Sequence, residues 1–320
     1  MIKVSQIDLN VYISFFENPR SDSFTKKNRL QYFAELVMNL SQIDVKALKV
    51  NVFTNRTIKN LDFALEPLSS RIGDTGIAVI EVPPDELVNE FEKYEPHLLT
   101  WAHKSYLQSD VMLGGENSFY LYLEDDAIFT QGNLEYFISH REKLRSHGLI
   151  PSYMRSEWSK IHDLWVNSDA MDTLSNRTKA TLDSGADIYY ADLENPYCAL
   201  TLFDYELALE YLNSESSDLN LARGKHKIIN DTAATAALGL ICENIPEGFH
   251  SRTVVAFNVE SNQPIPNAIV RHQGDRYAND VWWQQYPLFD HEVKLVAPPR
   301  TFSQKSKRLI QITKDWIKSF

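Results

Sequence analysis

Strand-like and helix-like patterns alternate along the first 130 residues of the chain. Short apolar runs rich in β-branched and aromatic residues are typical of buried strands, whereas apolar residues three and four positions apart are typical of helices. The apolar runs predict strands over residues 7–16, 50–54, 76–82 and 118–123. The helical spacing predicts helices over residues 29–43, 95–109 and 131–147. Because such alternation requires crossover connections, it predicts an α/β fold with a mainly parallel sheet flanked by helices.

The pattern loosens after residue 147. Residues 148–203 are aromatic and polar without sustained periodicity. Beyond them the sequence predicts short helices over residues 204–212 and 230–240, a strand over 254–258 and a Pro-rich aromatic segment over 264–299. We therefore predict one continuous domain over residues 1–302. Its first half, residues 1–130, is regular, and its second half, residues 131–302, is irregular.

Composition and charge narrow the class of protein. The chain has 320 residues, of which 43% are hydrophobic and 23% charged. These values are typical of a globular protein and exclude a fibrous or disordered one. The 32 Lys and Arg residues against 43 Asp and Glu residues give a net charge of −11. Because binding to polymeric phosphate needs clustered Lys and Arg, we expect no nucleic-acid partner.

The charge is uneven at the C-terminal end of the sequence. Residues 303–320 carry a net charge of +4, and apolar residues interleave with the basic ones. This pattern predicts a basic amphipathic helix. Such a helix either lies on an anionic membrane surface or docks its apolar face on the protein core, and both alternatives stay open.

Cysteine content and apolar runs bear on the compartment. Cys198 and Cys242 are too few for a disulfide framework and lack metal-ligand spacing, so we expect buried thiols in a reducing compartment. No apolar run approaches the roughly 20 residues of a membrane span. Residues 1–10 lack the pattern of a signal peptide. We expect a cytoplasmic protein, peripheral at the inner face of the membrane if residues 303–320 bind lipid.

The most informative stretch is the strand predicted over residues 118–123, because it runs directly into Glu124-Asp125-Asp126. Carboxylates this close raise one another's pKa, so a positive group such as Mg²⁺ or Mn²⁺ normally compensates for them. The carboxyl end of a parallel strand is also where open α/β sheets bind ligands. Alternation makes Asp126 the best metal ligand, assisted by Glu124, and leaves Asp125 to reach a sugar hydroxyl. The alternative is an acid-rich start of the helix near Gln131.

Strand–helix alternation followed by an apolar strand that ends in this D-x-D-like triplet resembles the GT-A class of nucleotide-sugar glycosyltransferases. The layout is similar over residues 7–275, although only the triplet is motif-like and its first position is Glu instead of Asp. The resemblance implies a GT-A-like (Rossmann-like) fold in which Mn²⁺ or Mg²⁺ holds the diphosphate of a UDP- or GDP-sugar. It assigns the donor to residues 1–130 and the acceptor to residues 131–302.

The resemblance also implies further donor-binding residues. In this class, the loops after the first two strands begin the nucleotide pocket. The first loop points to Phe16 and Arg20, and the second points to Asn55, which would contact the edge of a pyrimidine base. Lys104 matches a basic residue near the donor phosphates. For each residue, a plain loop or surface position is the alternative.

Two candidates concern the acceptor. Tyr197 follows a Pro-containing loop and offers an aromatic wall for the acceptor; the alternative is a turn with a core Tyr. Asp231 matches the carboxylate that deprotonates the acceptor hydroxyl in inverting GT-A enzymes. The competing interpretation of Asp231 is a helix N-cap without a catalytic role.

A polar cluster near residue 272 supplies the last candidates. Many GT-A enzymes place a late His on the metal, and His272 matches it, with His250 as the reserve. Arg271 or Arg276 would neutralise the departing diphosphate. The alternative for His272 is an ordinary structural histidine.

The combined hypothesis is a metal-dependent glycosyltransferase that transfers a sugar to a hydroxyl of a glycan or lipid-linked glycan in surface polysaccharide synthesis. One alternative is a nucleotidyltransferase-type metal enzyme, which would want a Gly-rich phosphate loop after the first strand. Residues 15–29 contain no Gly, which counts against it. The other alternative is a non-catalytic glycan-binding protein of the same fold.

Overall fold

The computed structural model describes residues 2–17, 23–73, 76–89, 91–167, 179–180, 187–193, 195–225, 231–275, 277–279 and 286–287. The helix predicted over residues 303–320 lies outside them, as do Arg20 and Arg276.

Strands and helices alternate in the first half, and short strands dominate the second. The helices are α1 (Ser23–Ser41), α2 (Leu61–Ile72), α3 (Lys104–Leu113), α4 (Gln131–Arg145), α5 (Tyr205–Leu212), α6 (Leu219–Ala222) and α7 (Thr232–Ala236). The strands are β1 (Asp8–Phe15), β2 (Ala47–Thr54), β3 (Ile77–Glu81), β4 (Ser118–Glu124), β5 (Ala127–Ile128), β6 (Ile150–Pro151), β7 (Met154–Ser159), β8 (Leu164–Asn167), β9 (Lys179–Ala180), β10 (Ile188–Ala191), β11 (Leu200–Asp204), β12 (Thr253–Asn258), β13 (Ile269–His272) and β14 (Tyr286–Pro287).

The central sheet has the strand order β11-β4-β1-β2-β3. Strands β4, β1, β2 and β3 are parallel, and β11 is antiparallel to β4. In register, Val11 of β1 lies between Val50 of β2 and Leu121 of β4. All three side chains are fully buried, as the apolar runs of a covered parallel sheet require. The predicted fold class is therefore confirmed.

Helices cover both faces of this sheet. Phe15 of β1 packs on Phe33 of α1, with ring centroids 5.0 Å apart. Tyr12, which points to the opposite face, donates its hydroxyl hydrogen to Asp110 of α3 at 2.8 Å. The apolar residues of β1 are therefore enclosed from both sides.

The irregular second half contains two small mixed sheets. One has the order β6-β12-β10-β9 and the other β14-β8-β7-β13-β5. Asn133 in the first turn of α4 donates to the carbonyls of Asn267 and Ile269, both at 2.9 Å, and so fixes the start of β13. Because β5 directly follows β4, the second small sheet begins at the acidic triplet.

Three helices differ from the sequence-based expectation. The helix predicted over residues 95–109 is a 3-10 turn, Pro96–Trp101, followed by α3. The helix predicted over residues 230–240 is limited to α7 within the described residues. Helix α2 was not predicted, because Pro67 lies inside it, although its buried positions keep helical spacing. Among the described helices, none combines the length and hydropathy that crossing a bilayer requires.

Candidate active site

The acidic triplet lies at the edge of the central sheet where its four parallel strands end. Strand β11 begins at this edge because it runs antiparallel to β4. The amide of Glu124 donates to the carbonyl of Ala199 at 3.1 Å, which holds the segment before β11 against the end of β4. This contact brings Tyr197 beside the triplet.

Pairing between β5 and β13 places His272 on Asp126. Ala127 pairs with His272, and the amide of Gln273 donates to the carbonyl of Asp126 at 2.8 Å. In this register the His272 Nε2 atom lies 3.2 Å from Asp126 Oδ2. Two residues that the sequence proposed as metal ligands are therefore brought together.

His272 contacts a second carboxylate on its other side. Its Nδ1 atom lies 2.7 Å from Oε1 of Glu157, a fully buried residue of β7. Burial alone would lower the pKa of His272, but the charge of Asp126, followed by the close contacts with Asp126 and Glu157, raises it to about 10. The imidazole therefore lies between two carboxyl groups, one on each nitrogen.

Asp126 retains one oxygen without a donor. Among the described residues, no group donates a hydrogen bond to its buried Oδ1 atom. Burial alone would raise the pKa of Asp126, but the positive charges of His272 and Arg29 hold it well below its usual range. An ionised carboxylate with a free buried oxygen is suited to a cation.

Gly274 keeps space open beside this pair. A Cβ atom at position 274 would lie 3.1 Å from His272 Cε1 and 3.8 Å from Asp126 Oδ2. A side chain there would crowd the face on which the imidazole and the carboxylate meet.

Glu124 accepts a hydrogen bond from the Tyr197 hydroxyl. Burial, followed by the charge of Asp126, raises the pKa of Glu124 to about 7. The guanidinium of Arg155 lies over the ring of Tyr197 at 5.0 Å and over that of Tyr277 at 4.9 Å. The wall beside Glu124 is therefore aromatic and carries one buried positive charge.

Asp125 turns away from its neighbours towards α1. Its carboxylate forms an ion pair with the guanidinium of Arg29, in which Nε donates to Oδ2 at 3.0 Å. Arg29 therefore compensates the charge of Asp125, and the predicted contact of Asp125 with a sugar hydroxyl stays a prediction. Glu124 and Asp126 instead face residues of the second half.

The geometry fits a divalent cation whose coordination would be completed by atoms of the substrate. Within the described residues, no set of three or more His, Cys, Asp and Glu side chains forms a complete metal cluster. Adjacent ligands about 2.1 Å from an octahedral Mg²⁺ lie about 3 Å apart, which the Asp126–His272 distance of 3.2 Å matches. Such ions commonly bind one or two protein ligands and the phosphates of a substrate.

The nucleotide-side candidates are placed differently from one another. Phe16 is half-buried and packs against the core beyond the end of β1. Asn55 accepts from the amide of Glu17 at 2.9 Å and donates to its carbonyl at 3.0 Å. The Asn55 amide therefore joins the loops after β1 and β2, and its role in reading a base stays a prediction.

Lys104 has its described contacts with two aromatic side chains. Its ammonium lies 4.8 Å from the ring centroid of Trp101 and 4.4 Å from that of Tyr211, to whose hydroxyl it donates. Burial lowers the pKa of Lys104 to about 7. A role at the donor phosphates would require the ammonium to leave these rings.

Asp231, Arg271 and His250 have structural contacts of their own. Asp231 is the N-cap of α7 and accepts from the amides of Ala233 and Ala234 at 2.8 and 3.1 Å, so the cap interpretation describes its contacts. Its role as a base stays a prediction. Arg271 is exposed and pairs with Glu35 of α1 at 3.1 Å. His250 Nδ1 lies 3.3 Å from Oδ2 of Asp192.

Sequence reasoning missed three residues around the triplet. Arg29 stands at the start of a predicted helix face, while Arg155 and Glu157 lie in residues 148–203, where no periodicity was found. Charged residues on a short strand give no local signal of burial. Only the pairing of β7 with β13 shows that they face the site.

Comparisons with known proteins show low similarity. No family profile and no curated protein matches the chain. A crystal structure of S. aureus TarS is 12% identical over 73% of this chain and 34% of its own, with a TM-score of 0.37. A second TarS structure, of residues 1–349, is 11% identical over 70% of this chain and 56% of its own, with a TM-score of 0.34.

A cytidylyltransferase from Leptospira borgpetersenii serovar Hardjo-bovis is 10% identical over 65% of this chain and 65% of its own, with a TM-score of 0.29. In all three comparisons the match covers less than two thirds of the other chain's length. Likenesses this weak carry no argument about activity.

Proposed function

We propose that the chain is a metal-dependent glycosyltransferase. It would transfer a sugar from a UDP- or GDP-sugar to a hydroxyl of a glycan or lipid-linked glycan in surface polysaccharide synthesis. The observation that supports this most directly is the Asp126–His272 pair, 3.2 Å apart at the carboxyl end of β4, with the free Oδ1 atom of Asp126 beside it.

The metal role falls to this pair. Asp126 and His272 would hold Mn²⁺ or Mg²⁺, which supplies positive charge to the donor diphosphate as a leaving group. Glu124 would assist from its half-buried position beside Tyr197. Arg155 contributes a second positive charge on the same side of the triplet.

The transfer itself needs a base if it inverts the anomeric centre. The acceptor oxygen forms its bond to the anomeric carbon while the bond to the diphosphate breaks and the electron pair leaves with the phosphate oxygen. Asp231 is exposed and would take the proton of the acceptor hydroxyl. Retention of configuration is the alternative and would need no such base.

Binding of nucleotides tests the proposal first. We would titrate UDP, GDP and CMP into the full-length chain by calorimetry, with and without Mn²⁺. Metal-dependent binding of UDP or GDP, lost in Asp126→Asn, is the expected result. Glu210→Gln is the matched control, because it removes a carboxylate whose contacts are with Arg252 and Asn244.

Turnover separates the remaining alternatives. We expect purified chain with Mn²⁺ to release nucleoside diphosphate from one member of a UDP- and GDP-sugar panel. Release of pyrophosphate from a nucleoside triphosphate would instead identify a nucleotidyltransferase. Absence of any nucleotide binding would overturn the proposal in favour of a non-catalytic protein.

The place of the protein in the cell is part of the same proposal. We infer a cytoplasmic enzyme whose residues 303–320 contact an anionic membrane surface. Liposome flotation of the full-length chain against a chain ending at Ala297 tests this contact. Equal flotation of the two chains would remove the membrane contact and leave the reaction unaffected.

A further inference from the structure

Both carboxyl oxygens of the fully buried Glu157 have close neighbours. Its Oε1 atom lies 2.7 Å from His272 Nδ1, and its Oε2 atom accepts from the amide of Ala278 at 2.6 Å. The hydrogen bond from Ala278 has ordinary geometry, whereas Oε1 and Nδ1 approach each other without an aligned hydrogen bond. Glu157 is therefore held in one orientation, with one oxygen on the imidazole.

The strand that carries Glu157 is held in place independently of any ligand. Strand β7 pairs in parallel with β13, and Ser156 is the register partner of Arg271. The amide of Trp158 donates to Asp275 at 2.8 Å, and Ser159 donates to the carbonyl of Ala278 at 3.1 Å. Glu157 lies between these anchors, so its carboxylate is a rigid part of the fold.

The two nitrogens of His272 face two different carboxylates. Nδ1 faces Glu157, whose side chain is fully buried, and Nε2 faces Asp126, whose side chain is 21% exposed. An imidazole that binds a metal through one nitrogen commonly donates its other N–H to a carboxylate, which fixes the tautomer and the ring orientation.

We propose that Glu157 is a positioning residue that holds the His272 ring through its contact with Nδ1, so that Nε2 is the nitrogen offered to the divalent cation beside Asp126. This inference rests on the proposed metal-dependent function. Glu157 touches neither the metal nor the substrate; it acts through His272 alone.

A double-mutant cycle tests this role, because coupling distinguishes positioning from general support of the fold. Mn²⁺ binding would be measured by the electron paramagnetic resonance of free Mn²⁺, in the presence of UDP and, separately, of GDP. The proteins are the wild type, Glu157→Gln, His272→Ala and the double variant. Glu210→Gln is the control for loss of a carboxylate elsewhere.

We expect Glu157→Gln to weaken Mn²⁺ binding about 10- to 100-fold. In the His272→Ala background, the same change should have no further effect. Glu157→Asp keeps the charge on a shorter side chain and should give an intermediate affinity, which covers the case in which Glu157→Gln does not fold. Circular dichroism reports the folding of each variant.

The outcomes separate the two proposals. Wild-type affinity in Glu157→Gln would overturn the positioning role and leave the proposed function standing. Equal weakening in both backgrounds would assign Glu157 to general stability and overturn the positioning role as well. Absence of Mn²⁺ binding by the wild type with either nucleotide would overturn both.

Discussion

Arg29 of α1 and Asp125 at the end of β4 form an ion pair with two contacts, one of them Arg29 Nε to Asp125 Oδ2 at 3.0 Å. Asp125 is almost fully buried, and the side chain of Arg29 is 37% exposed. The pair divides the triplet, because Asp125 is neutralised by α1 while Glu124 and Asp126 face the second half. It also ties the helix that follows β1 to the candidate active site.

Removal of Arg29 should destabilise the fold through the charge that it leaves behind. In Arg29→Met the Asp125 carboxylate stays buried without its partner, which should lower the free energy of unfolding by about 1–3 kcal/mol after allowance for solvent screening of the exposed arginine. Adding Asp125→Asn removes the unpaired charge and should restore part of the loss. Urea denaturation of the three proteins measures this; equal stability of Arg29→Met and wild type would contradict it.

Gly274 should be required for space beside the Asp126–His272 pair. A Cβ atom in Gly274→Ala lies 3.1 Å from His272 Cε1, closer than ordinary contact, so the imidazole must shift. A cost of about 1 kcal/mol corresponds to about fivefold weaker Mn²⁺ binding with nucleotide, measured by calorimetry. Gly115→Ala is the matched control, because a Cβ atom there meets nothing within 4 Å. Unchanged affinity in Gly274→Ala would show that the metal does not use this face.

Asn55 should contribute mainly to the stability of the fold. Asn55→Ala removes two hydrogen bonds to the backbone of Glu17, which should cost about 1–3 kcal/mol. Asn55→Asp still accepts from the Glu17 amide but turns a buried carboxylate oxygen towards the Glu17 carbonyl, so it should lose at least as much stability. Unfolding in urea without nucleotide measures both changes. If stability were unaffected while nucleotide affinity fell, Asn55 would be a base-reading residue after all.

His140 should make stability depend on pH in mild acid. Burial, followed by the charge of Lys143, lowers the pKa of His140 to about 4, and its Nδ1 atom lies 2.6 Å from the Tyr190 hydroxyl. Between the unfolded value near 6.5 and about 4, the unfolded chain binds more protons than the folded one. Stability from this residue is therefore present above about pH 6.5 and is lost as the pH falls towards 4, by an amount on the order of 3 kcal/mol.

A His140→Asn variant isolates this contribution. Urea denaturation at several pH values between 4 and 7.5 should give a shallower decline in the variant than in the wild type. All other titrating groups are shared, so the difference between the two curves belongs to His140. Parallel curves would show that His140 has the same pKa in the folded and unfolded states.

Local sequence patterns predicted much of the first half. Residues 7–16 and 118–123 were recognised as strands because parallel strands covered on both faces are continuously apolar, and the structure confirms them as β1 and β4. The triplet was recognised because three acids seldom follow so apolar a strand. Helix α2 was not recognised, since Pro67 interrupts its helical pattern.

Tertiary structure decided which groups surround the triplet. Asp126 and His272 were both named as candidates from the sequence, but their contact depends on the pairing of β5 with β13. The sequence offered Lys104 either as a donor-phosphate residue or as a surface Lys, and packing places its ammonium beside two aromatic rings. Neither placement is encoded by neighbours along the chain.

The sequence by itself determined the alternating α/β order and the position of the acids at the end of β4, because both follow from periodicity and strand polarity over a few residues. Only the tertiary structure decided that Arg29 neutralises Asp125 and that Glu157 faces the inner nitrogen of His272. The physical reason is burial. A charge removed from water must find a partner within a few ångströms, and the fold brings that partner from a distant part of the chain.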